Sequence, residues 1–314
     1  MVKTILDRRA FGALAAGLAF APVSACAAAA MESSSVPDLA PDVQSGGDGR
    51  GRITLPVHFG DQGPFHFAID SAANTSVIAA DLAERLALPY DGDAWMNSLV
   101  GREAVQMIAA SQVKVGSIRM DHARLVRGTR LGLGGTDGLV GSDILMGHRL
   151  ALNFRSQRAR LGRARLEDDS VLDVSRPRVR FRSTRLVGGV LMITASTNGQ
   201  DAHIIIDTGA QVSIINSAMA GIAEARALTL SDGSTERMIS SPTGRSAMAK
   251  VMMLPSLNFG GAHLSHLPVL AGDFHAFDVW GLSDQPAMLL GVDVMARFTQ
   301  IVLDLKRGEL ILER

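Results

Sequence analysis

The sequence has little of what several common kinds of protein need. Its 314 residues include one cysteine, which excludes an intramolecular disulfide and a cysteine-rich structural zinc site. Its 31 Lys and Arg balance its 31 Asp and Glu, so its net charge gives no reason to expect a nucleic-acid partner or an anionic membrane surface. Aromatic residues make up only 4%, whereas there are 32 glycines. This composition favours short strands joined by tight turns over a helical bundle.

The first 30 residues have the layout of an export signal. Basic residues Lys3, Arg8 and Arg9 precede an apolar segment at 10–21, and small residues follow. That segment is too short for a convincing transmembrane helix. The Arg8-Arg9 pair also resembles a twin-arginine signal, so export in the folded state and ordinary secretion both stay open.

The end of this signal allows two fates for the protein. The letters VSAC, ending at Cys26, resemble a bacterial lipobox, in which the cysteine is lipidated and becomes the new N-terminus. Cleavage within 27–30 would instead leave a soluble periplasmic protein. Residues 31–50 are rich in Ser, Pro, Gly and Asp, which predicts a flexible linker. We therefore expect an exported, periplasmic or cell-envelope protein that touches the membrane only through a lipid on Cys26, if at all.

A buried-strand pattern in the second half of the chain ends in a carboxylate. Three isoleucines at 204–206 run directly into Asp207, and a turn at 208–210 follows. A buried charge without compensation costs several kcal/mol. Either Asp207 is a solvated residue of an ordinary turn, or something in the fold compensates its charge.

An internal repeat favours the second alternative. Residues 65–79 align with 202–216 without a gap, so that Asp70 matches Asp207. Three later landmarks recur in the same order: VKVGSI (113–118) with LNFGGA (257–262), GLVGSDIL (138–145) with MLLGVDVM (288–295), and LNFRSQRARL (152–161) with LDLKRGELIL (303–312). The second half has extra residues between these landmarks, which we expect in a surface loop. Two related halves predict a pseudo-twofold arrangement in which the two carboxylates meet and share one proton.

The residues that carry this pattern resemble those of the retropepsin-like, pepsin-related aspartic proteases found as exported bacterial proteins. The motifs are DTGA at 207–210, the looser DSAA at 70–73, and the apolar-apolar-glycine elements LVG at 139–141 and LLG at 289–291. The resemblance covers nearly all of residues 51–314. DTGA after an apolar strand is moderately specific, and its combination with LLG and the duplication is strongly so.

This resemblance implies an all-β fold with few short helices. Two similar β-barrel-like halves, 51–165 and 178–314, would be joined by a connector at 166–177 and would form a cleft between them. Each half would contribute a hairpin flap over the cleft. The letters AADLAERLAL at 79–88 predict a short helix after the first turn.

The resemblance also implies an aspartic endopeptidase that binds an extended peptide or protein substrate and needs no cofactor or metal. Asp70 and Asp207 would activate a water between them, while the hydroxyls of Ser71 and Thr208 reach across to lock the opposite turns. The remaining support of the catalytic loops would come from Ala72, Ala73, Gly209 and Ala210. We expect the chain to act as a monomer.

One position departs from the family pattern. Ala72 stands where Gly209 stands in the second half, and alanine adds a methyl group and disfavours a positive φ. A catalytically weak or inactive peptide-binding module with the same fold is therefore the alternative function. A purely structural envelope protein is a third hypothesis, but it gives no reason for a carboxylate in both halves.

Other motifs support weaker interpretations. The glycine-rich stretch 131–138 lacks the Lys-Ser/Thr of a phosphate loop, so a flexible loop before a strand is expected. His263 and His266 have metal-ligand spacing only on a helix, and we expect them in a loop. His66 and His203 match in the repeat, where either barrel packing or tuning of the two carboxylates could explain them.

Overall fold

The computed structural model describes residues 45–163 and 177–313. The predicted signal with Cys26, most of the linker and all of the connector except Pro177 lie outside these residues. The last residues of the predicted linker, 45–50, belong to the folded domain, since Gly46–Gly47 forms a strand. Within the described ranges no helix has the length and apolar character to cross a membrane.

The described residues form 22 strands and five short α-helices, in agreement with the predicted all-β class. The strands are β1 (Gly46–Gly47), β2 (Ile53–Phe59), β3 (Gln62–Ile69), β4 (Val77–Ala79), β5 (Tyr90–Ser98), β6 (Gly101–Val115), β7 (Ile118–Gly128), β8 (Gly138–Val140), β9 (His148–Asn153), β10 (Arg158–Arg163), β11 (Arg178–Arg182), β12 (Thr184–Arg185), β13 (Leu191–Thr197), β14 (Gln200–Ile206), β15 (Ile214–Ile215), β16 (Arg226–Ala227), β17 (Glu236–Ser240), β18 (Ser246–Phe259), β19 (Ala262–Ala271), β20 (Ala287–Leu290), β21 (Gln300–Asp304) and β22 (Glu309–Glu313). The helices are α1 (Ala80–Arg85), α2 (Ser142–Leu145), α3 (Ser217–Ile222), α4 (His275–Val279) and α5 (Val292–Met295).

Each half closes into a six-stranded barrel. In the first half the strands run in the order β2-β3-β8-β4-β7-β6, and pairing of β2 with β6 closes the barrel. In the second half the order is β13-β14-β20-β15-β19-β18, closed by pairing of β13 with β18. Every strand of one barrel has its counterpart at the same place in the other. The duplication in the sequence is therefore a duplication of the whole barrel, as predicted.

A third sheet joins the two barrels. Its order is β10-β9-β21-β22-β11, and the junction is the antiparallel pairing of β9 from the first half with β21 from the second. The apolar residues of β21 and β22 are buried here, among them Leu303 and Leu310, each 0% exposed. This sheet contains the fourth repeated landmark of both halves, so the last strands of each copy hold the copies together.

The strands that lead to the two aspartates are buried on both faces at their ends. The last three residues of β3 and the last three of β14 are all buried. Each strand lies between two neighbours within its barrel, β3 between β2 and β8 and β14 between β13 and β20. A strand whose two faces are both buried has an uninterrupted apolar run instead of an alternating one, as the three isoleucines at 204–206 show. The carboxylate that follows is therefore delivered to the interior.

The halves differ between β19 and β20, where extra residues of the second half form α4. Phe277 of this helix is 1% exposed and belongs to the core of the second barrel. Its ring contacts that of Trp280 edge-on, with the centroids 6.3 Å apart. The expectation that the extra residues lie in a surface loop is thus wrong for this segment, because they fill part of the core and, through Trp280, one wall of the cleft.

Candidate active site

The two aspartate turns meet at the junction of the barrels, and two hydroxyl groups cross between them. Ser71 Oγ donates to the carbonyl oxygen of Ile206 (2.8 Å), and Thr208 Oγ1 donates to that of Ile69 (2.9 Å). Each hydroxyl also accepts the backbone N–H of the other residue, at 3.0 Å for Ser71 N and 3.2 Å for Thr208 N. All four groups are buried. The turns are therefore fixed to each other by four hydrogen bonds, in the crossing that the resemblance implied.

Each carboxylate is held by the amides of its own turn. The hydrogen bonds to Asp70 Oδ1 come from Ala72 N (3.0 Å) and Ala73 N (2.8 Å), and those to Asp207 Oδ1 come from Gly209 N (2.8 Å) and Ala210 N (3.0 Å). The two carboxyl groups lie close enough together that the charge of Asp70 acts on Asp207. All eight predicted positions, 70–73 and 207–210, are thus brought together in one site.

Burial raises the pKa of both carboxyl groups. Burial raises the pKa of Asp70, although the amides of Ala73 and Ala72 and the charge of Arg52 oppose it. The pKa of Asp207 lies well above its usual range, first because of burial and then because of the negative charge of Asp70. Two carboxylates this close cannot both ionise readily, which favours a state of the pair with one proton and one negative charge.

Beneath each turn lies a clip made of a serine, an aspartate and a glycine. In the first half Ser76 Oγ donates to Asp143 Oδ1 (2.7 Å) and accepts the N–H of Gly141 (2.9 Å), while the N–H of Ser76 bonds to Asp143 Oδ2 (3.0 Å). The second half repeats all three contacts: Ser213 Oγ to Asp293 Oδ1 (2.7 Å), Gly291 N to Ser213 Oγ (2.9 Å) and Ser213 N to Asp293 Oδ2 (3.1 Å). Sequence reasoning did not assign this role, although the matched serines and aspartates of the repeat carried the signal.

The departure at Ala72 has a different consequence from the one expected. Neither Ala72 nor Gly209 has a positive φ, so the turn does not need a conformation that alanine avoids. The glycine is needed for space instead. A Cβ on Gly209 would lie 2.4 Å from the Cγ and Oδ2 of Asp70. In the first half, by contrast, Ala72 packs against the apolar core of the second barrel.

A buried arginine that the sequence reasoning missed lies beside this pair. Arg52 is 4% exposed, and its guanidinium contacts Asp48, the carbonyl oxygen of Leu133 and the carbonyl oxygen of Gly209. Its charge acts on both aspartates and lowers the pKa of each. The residue directly precedes an apolar strand, and nothing in the local pattern distinguishes it from a surface arginine.

Three adjoining cavities form a groove at the site. The cavity that contains Asp70 and Asp207 has a volume of about 210 Å³. It shares Ala72 and Trp280 with a cavity of about 320 Å³ on one side, and it shares Leu99 and Gly209 with one of about 560 Å³ on the other. The aspartates thus line the cavity that adjoins both of the others.

Two hairpins cover this groove, one from each half. The β5–β6 tip places Leu99 against the apolar core of the second barrel. Glu103, next to this tip, accepts hydrogen bonds from Ser98 (2.7 Å), from Ser241 (3.3 Å) and from Thr243. The latter two residues belong to the tip of the β17–β18 hairpin. The two flaps are therefore fastened to each other over the aspartates.

The remaining sequence candidates lie away from the dyad. His66 and His203 are each four residues before their aspartate on an extended strand, which places them roughly 13 Å away. His203 Nε2 is bonded to Gln285 Oε1 (2.9 Å). His263 and His266 lie on strand β19, where we expected a loop. Within 45–163 and 177–313 no three His, Cys, Asp or Glu side chains are grouped to hold a metal ion. Most of the glycine-rich stretch 131–138 is a turn region before β8, as expected.

Two barrels that each supply an aspartate turn, locked by crossed hydroxyls, define a single-chain, two-lobed protein of the aspartic-protease type. The sequence profile of the family described as "Aspartyl protease" matches residues 55–144 and 193–294, one segment in each half and together more than half of the chain. The chain belongs to this aspartyl protease family.

Two solved structures show how the chain compares with known folds. A retropepsin-like aspartic protease from Rickettsia conorii is 20% identical, with 44% of this chain and 90% of that chain covered, at a TM-score of 0.30. Basic 7S globulin from soybean is 10% identical, with 86% of this chain and 93% of that chain covered, at a TM-score of 0.46. No curated protein sequence matches the chain significantly.

Proposed function

We propose that the chain is an aspartic endopeptidase that hydrolyses peptide bonds of an extended substrate with a water activated between Asp70 and Asp207. The observation that carries this proposal is the closeness of two desolvated carboxyl groups, each supported by two backbone amides of its own turn. A structural role alone gives no reason to keep two desolvated carboxyl groups together. A shared proton between them supplies an acid and a base at one place.

The chemistry follows from that single charge. The ionised carboxylate accepts a proton from the water, and the water oxygen attacks the peptide carbonyl carbon. The protonated carboxyl group of the pair donates a hydrogen bond, and then its proton, to the carbonyl oxygen. The tetrahedral diol then collapses: the carboxyl group that took the water's proton gives it to the leaving nitrogen as the C–N bond breaks. A diol hydroxyl returns its proton to the other carboxylate as the C=O bond forms, so the pair again holds one proton. Because the two groups titrate as a pair, the acid and base roles belong to the dyad as a whole.

The groove suits a substrate in extended conformation. It continues on both sides of the aspartates, and the flap hairpins provide strand backbone along it. A peptide laid in such a groove can hydrogen-bond through its main chain while side chains alternate between its walls. The apolar lining near Val212, Met238 and Leu270 favours apolar substrate residues on that side.

We also propose that this activity is exported to the periplasm or cell envelope. The support is the basic, apolar and small-residue order of the first 30 residues and the VSAC letters ending at Cys26. Cell fractionation of the full chain and of Cys26→Ser tests both ideas. Release of the Cys26→Ser variant from the membrane fraction supports lipidation, whereas the same periplasmic location for both chains supports cleavage without a lipid.

Substitution of the two aspartates tests the catalytic proposal. Asp70→Asn and Asp207→Asn should each lower the cleavage of a denatured protein by at least about 10²-fold, since each removes one half of the acid–base pair. Asp61→Asn, at an exposed position in the β2–β3 turn, is the matched control and should cleave normally. Circular dichroism confirms that the variants fold. Cleavage by Asp70→Asn at the wild-type rate would contradict the proposal.

A peptide-binding module that retains the groove without turnover is the second candidate. The observation that favours it is Ala72, which lines the cavity of the dyad at the position where the second half has Gly209. A statine peptide, which mimics the tetrahedral state, separates the candidates between pH 3 and 7. Inhibitor binding together with cleavage supports the endopeptidase, and inhibitor binding with no cleavage of any denatured protein supports the module.

A further inference from the structure

Arg52 marks the strongest difference in charge between the two halves near the dyad. The strand pairings make it the counterpart of Val190, which is 2% exposed in the core of the second barrel. A charged residue thus occupies, in one half, a place that an apolar residue fills in the other. A buried charge needs partners, and those of Arg52 indicate what it does.

The guanidinium of Arg52 joins three segments of the chain. Its Nε donates to Asp48 Oδ2 (2.7 Å), and its Nη2 donates to the carbonyl oxygen of Leu133 (2.7 Å). Its Nη1 lies 3.4 Å from the carbonyl oxygen of Gly209 in the other half. The planar fork of arginine makes such simultaneous contacts possible, whereas a lysine ammonium is a point charge. Through this side chain the first barrel makes a further contact with the second catalytic turn, beside the four hydrogen bonds of Ser71 and Thr208.

Asp48 orients the guanidinium of Arg52 through their ion pair. Its side chain is 1% exposed, and its Oδ1 also accepts the backbone N–H of Arg50 (2.7 Å) and of Arg52 (3.1 Å). The ion pair is neutral as a unit, but its positive end lines the cavity that contains the dyad. Among the residues described as lining that cavity, the charged ones are Arg52, Asp70 and Asp207.

We propose that Arg52, oriented by Asp48, is a positioning residue that fastens the second catalytic turn to the first half and stabilises the single negative charge of the dyad. This inference rests on the proposed function for its catalytic consequence, but its electrostatic part concerns the two aspartates alone. An arginine stays charged over the whole working range of pH. It therefore favours the singly ionised dyad in acid, where desolvation would otherwise keep both carboxyl groups protonated.

Titration of the dyad tests the charge without needing proteolysis. In protein labelled with ¹³C at the aspartate carboxyl carbons, Asp70→Asn and Asp207→Asn assign the dyad signals. We expect Asp48→Asn/Arg52→Gln to move the titration midpoint upward by about one pH unit, as the loss of a nearby opposite charge does. Asp48→Asn alone leaves the cation unneutralised and should move the midpoint downward. Arg50→Gln, at an exposed arginine, is the control and should leave it unchanged.

Arg52→Lys separates charge from geometry. It should keep the wild-type midpoint but lower kcat about tenfold or more, with KM little changed, because the fork that holds Gly209 is lost and a small displacement of the turn is costly. The acidic limb of kcat/KM should follow the titration midpoint in every variant that cleaves.

Two results would overturn the inference. One is a folded double variant that titrates at the wild-type midpoint, and the other is an Arg52→Lys variant that titrates like the double variant. Both titration results can be obtained whether or not the wild type cleaves peptides. Midpoints that move as expected in a protein without proteolysis would instead contradict the proposed function and leave the role of Arg52 in place.

Discussion

The two aspartate turns of this protein share their hydrogen bonds but not their packing. Both turns supply two amides to a carboxylate, both send a hydroxyl across to the partner, and both lie on a serine–aspartate clip. They differ at one position of the repeat, where the first half has Ala72 and the second half has Gly209. Asp70 occupies the space that a side chain at 209 would fill, whereas Ala72 packs against the second barrel. Both turns therefore need the same hydrogen bonds, whereas only the second turn needs a glycine, at position 209.

The surroundings of the two carboxylates also differ, both in burial and in the residues beside them. Asp207 is 9% exposed, while Asp70 is partly exposed. The first half adds the cation of Arg52 next to the pair, and the second half adds α4 and Trp280 to the cleft wall. A symmetric duplication has thus become an asymmetric site, with the more deeply buried carboxylate in one half and the balancing charge in the other.

Among the variants that test this comparison, Gly209→Ala should lower kcat the most. The new methyl carbon would lie 2.4 Å from the carboxyl carbon of Asp70, so the carboxylate must move. A displacement of about 1 Å costs roughly 10²-fold in rate, and we expect at least that loss in kcat. Gly221→Ala is the matched control, because a Cβ there meets nothing within 4 Å. Steady-state cleavage kinetics provide the measurement, and wild-type kcat in Gly209→Ala would mean that the space beside Asp70 is not needed.

The repeat and the local motifs predicted the two-barrel fold and the meeting of the turns at 70–73 and 207–210, because the sequence repeats an apolar strand that ends in an aspartate. The helix predicted at 79–88 is α1, although shorter. The sequence did not indicate Arg52, whose contacts with Leu133 and Gly209 join residues distant in the chain and depend on how the barrels dock. Nor did it indicate α4, since a five-residue helix leaves almost no periodic pattern.

The clips test how similar the halves are. Ser76→Ala and Ser213→Ala each remove a buried hydroxyl that bonds to an aspartate and to a glycine N–H. Each should lower the free energy of unfolding by about 1–3 kcal/mol, the cost of leaving buried polar groups unpaired. Denaturant unfolding of both variants, beside the exposed Ser246→Ala, provides the comparison. Losses that differ by more than about twofold would mean that the two clips are not equivalent.

Asp207→Asn should stabilise the fold in a pH-dependent manner. Burial, and then the charge of Asp70, raises the pKa of Asp207 in the folded state. The stability that protonated Asp207 provides is therefore fully present below its unfolded pKa of about 3.9 and is lost as pH rises through the folded value. Asparagine carries no charge and avoids that loss.

The gain at pH 7 should be a few degrees in melting temperature, the response of a domain of this size to about 1 kcal/mol. The difference between Asp207→Asn and the wild type should grow from pH 3 to pH 7. Asp61→Asn, which is exposed, should show no such trend. A difference that stays constant across this range would contradict the assigned direction of the shift.

Ala72→Gly should have the smallest effect, although it restores the residue that the second half has. The backbone at Ala72 is outside the positive-φ region, and its N–H already supports Asp70 at 3.0 Å. Removing the methyl group therefore relieves no backbone strain, and we expect kcat within about threefold of the wild type. The added freedom of glycine in the unfolded chain should cost about 0.4–1 kcal/mol, measured by denaturant unfolding. A rise in kcat well beyond threefold would show that the methyl group obstructs the water, and it would make the first turn an attenuated copy of the second instead of an equal partner.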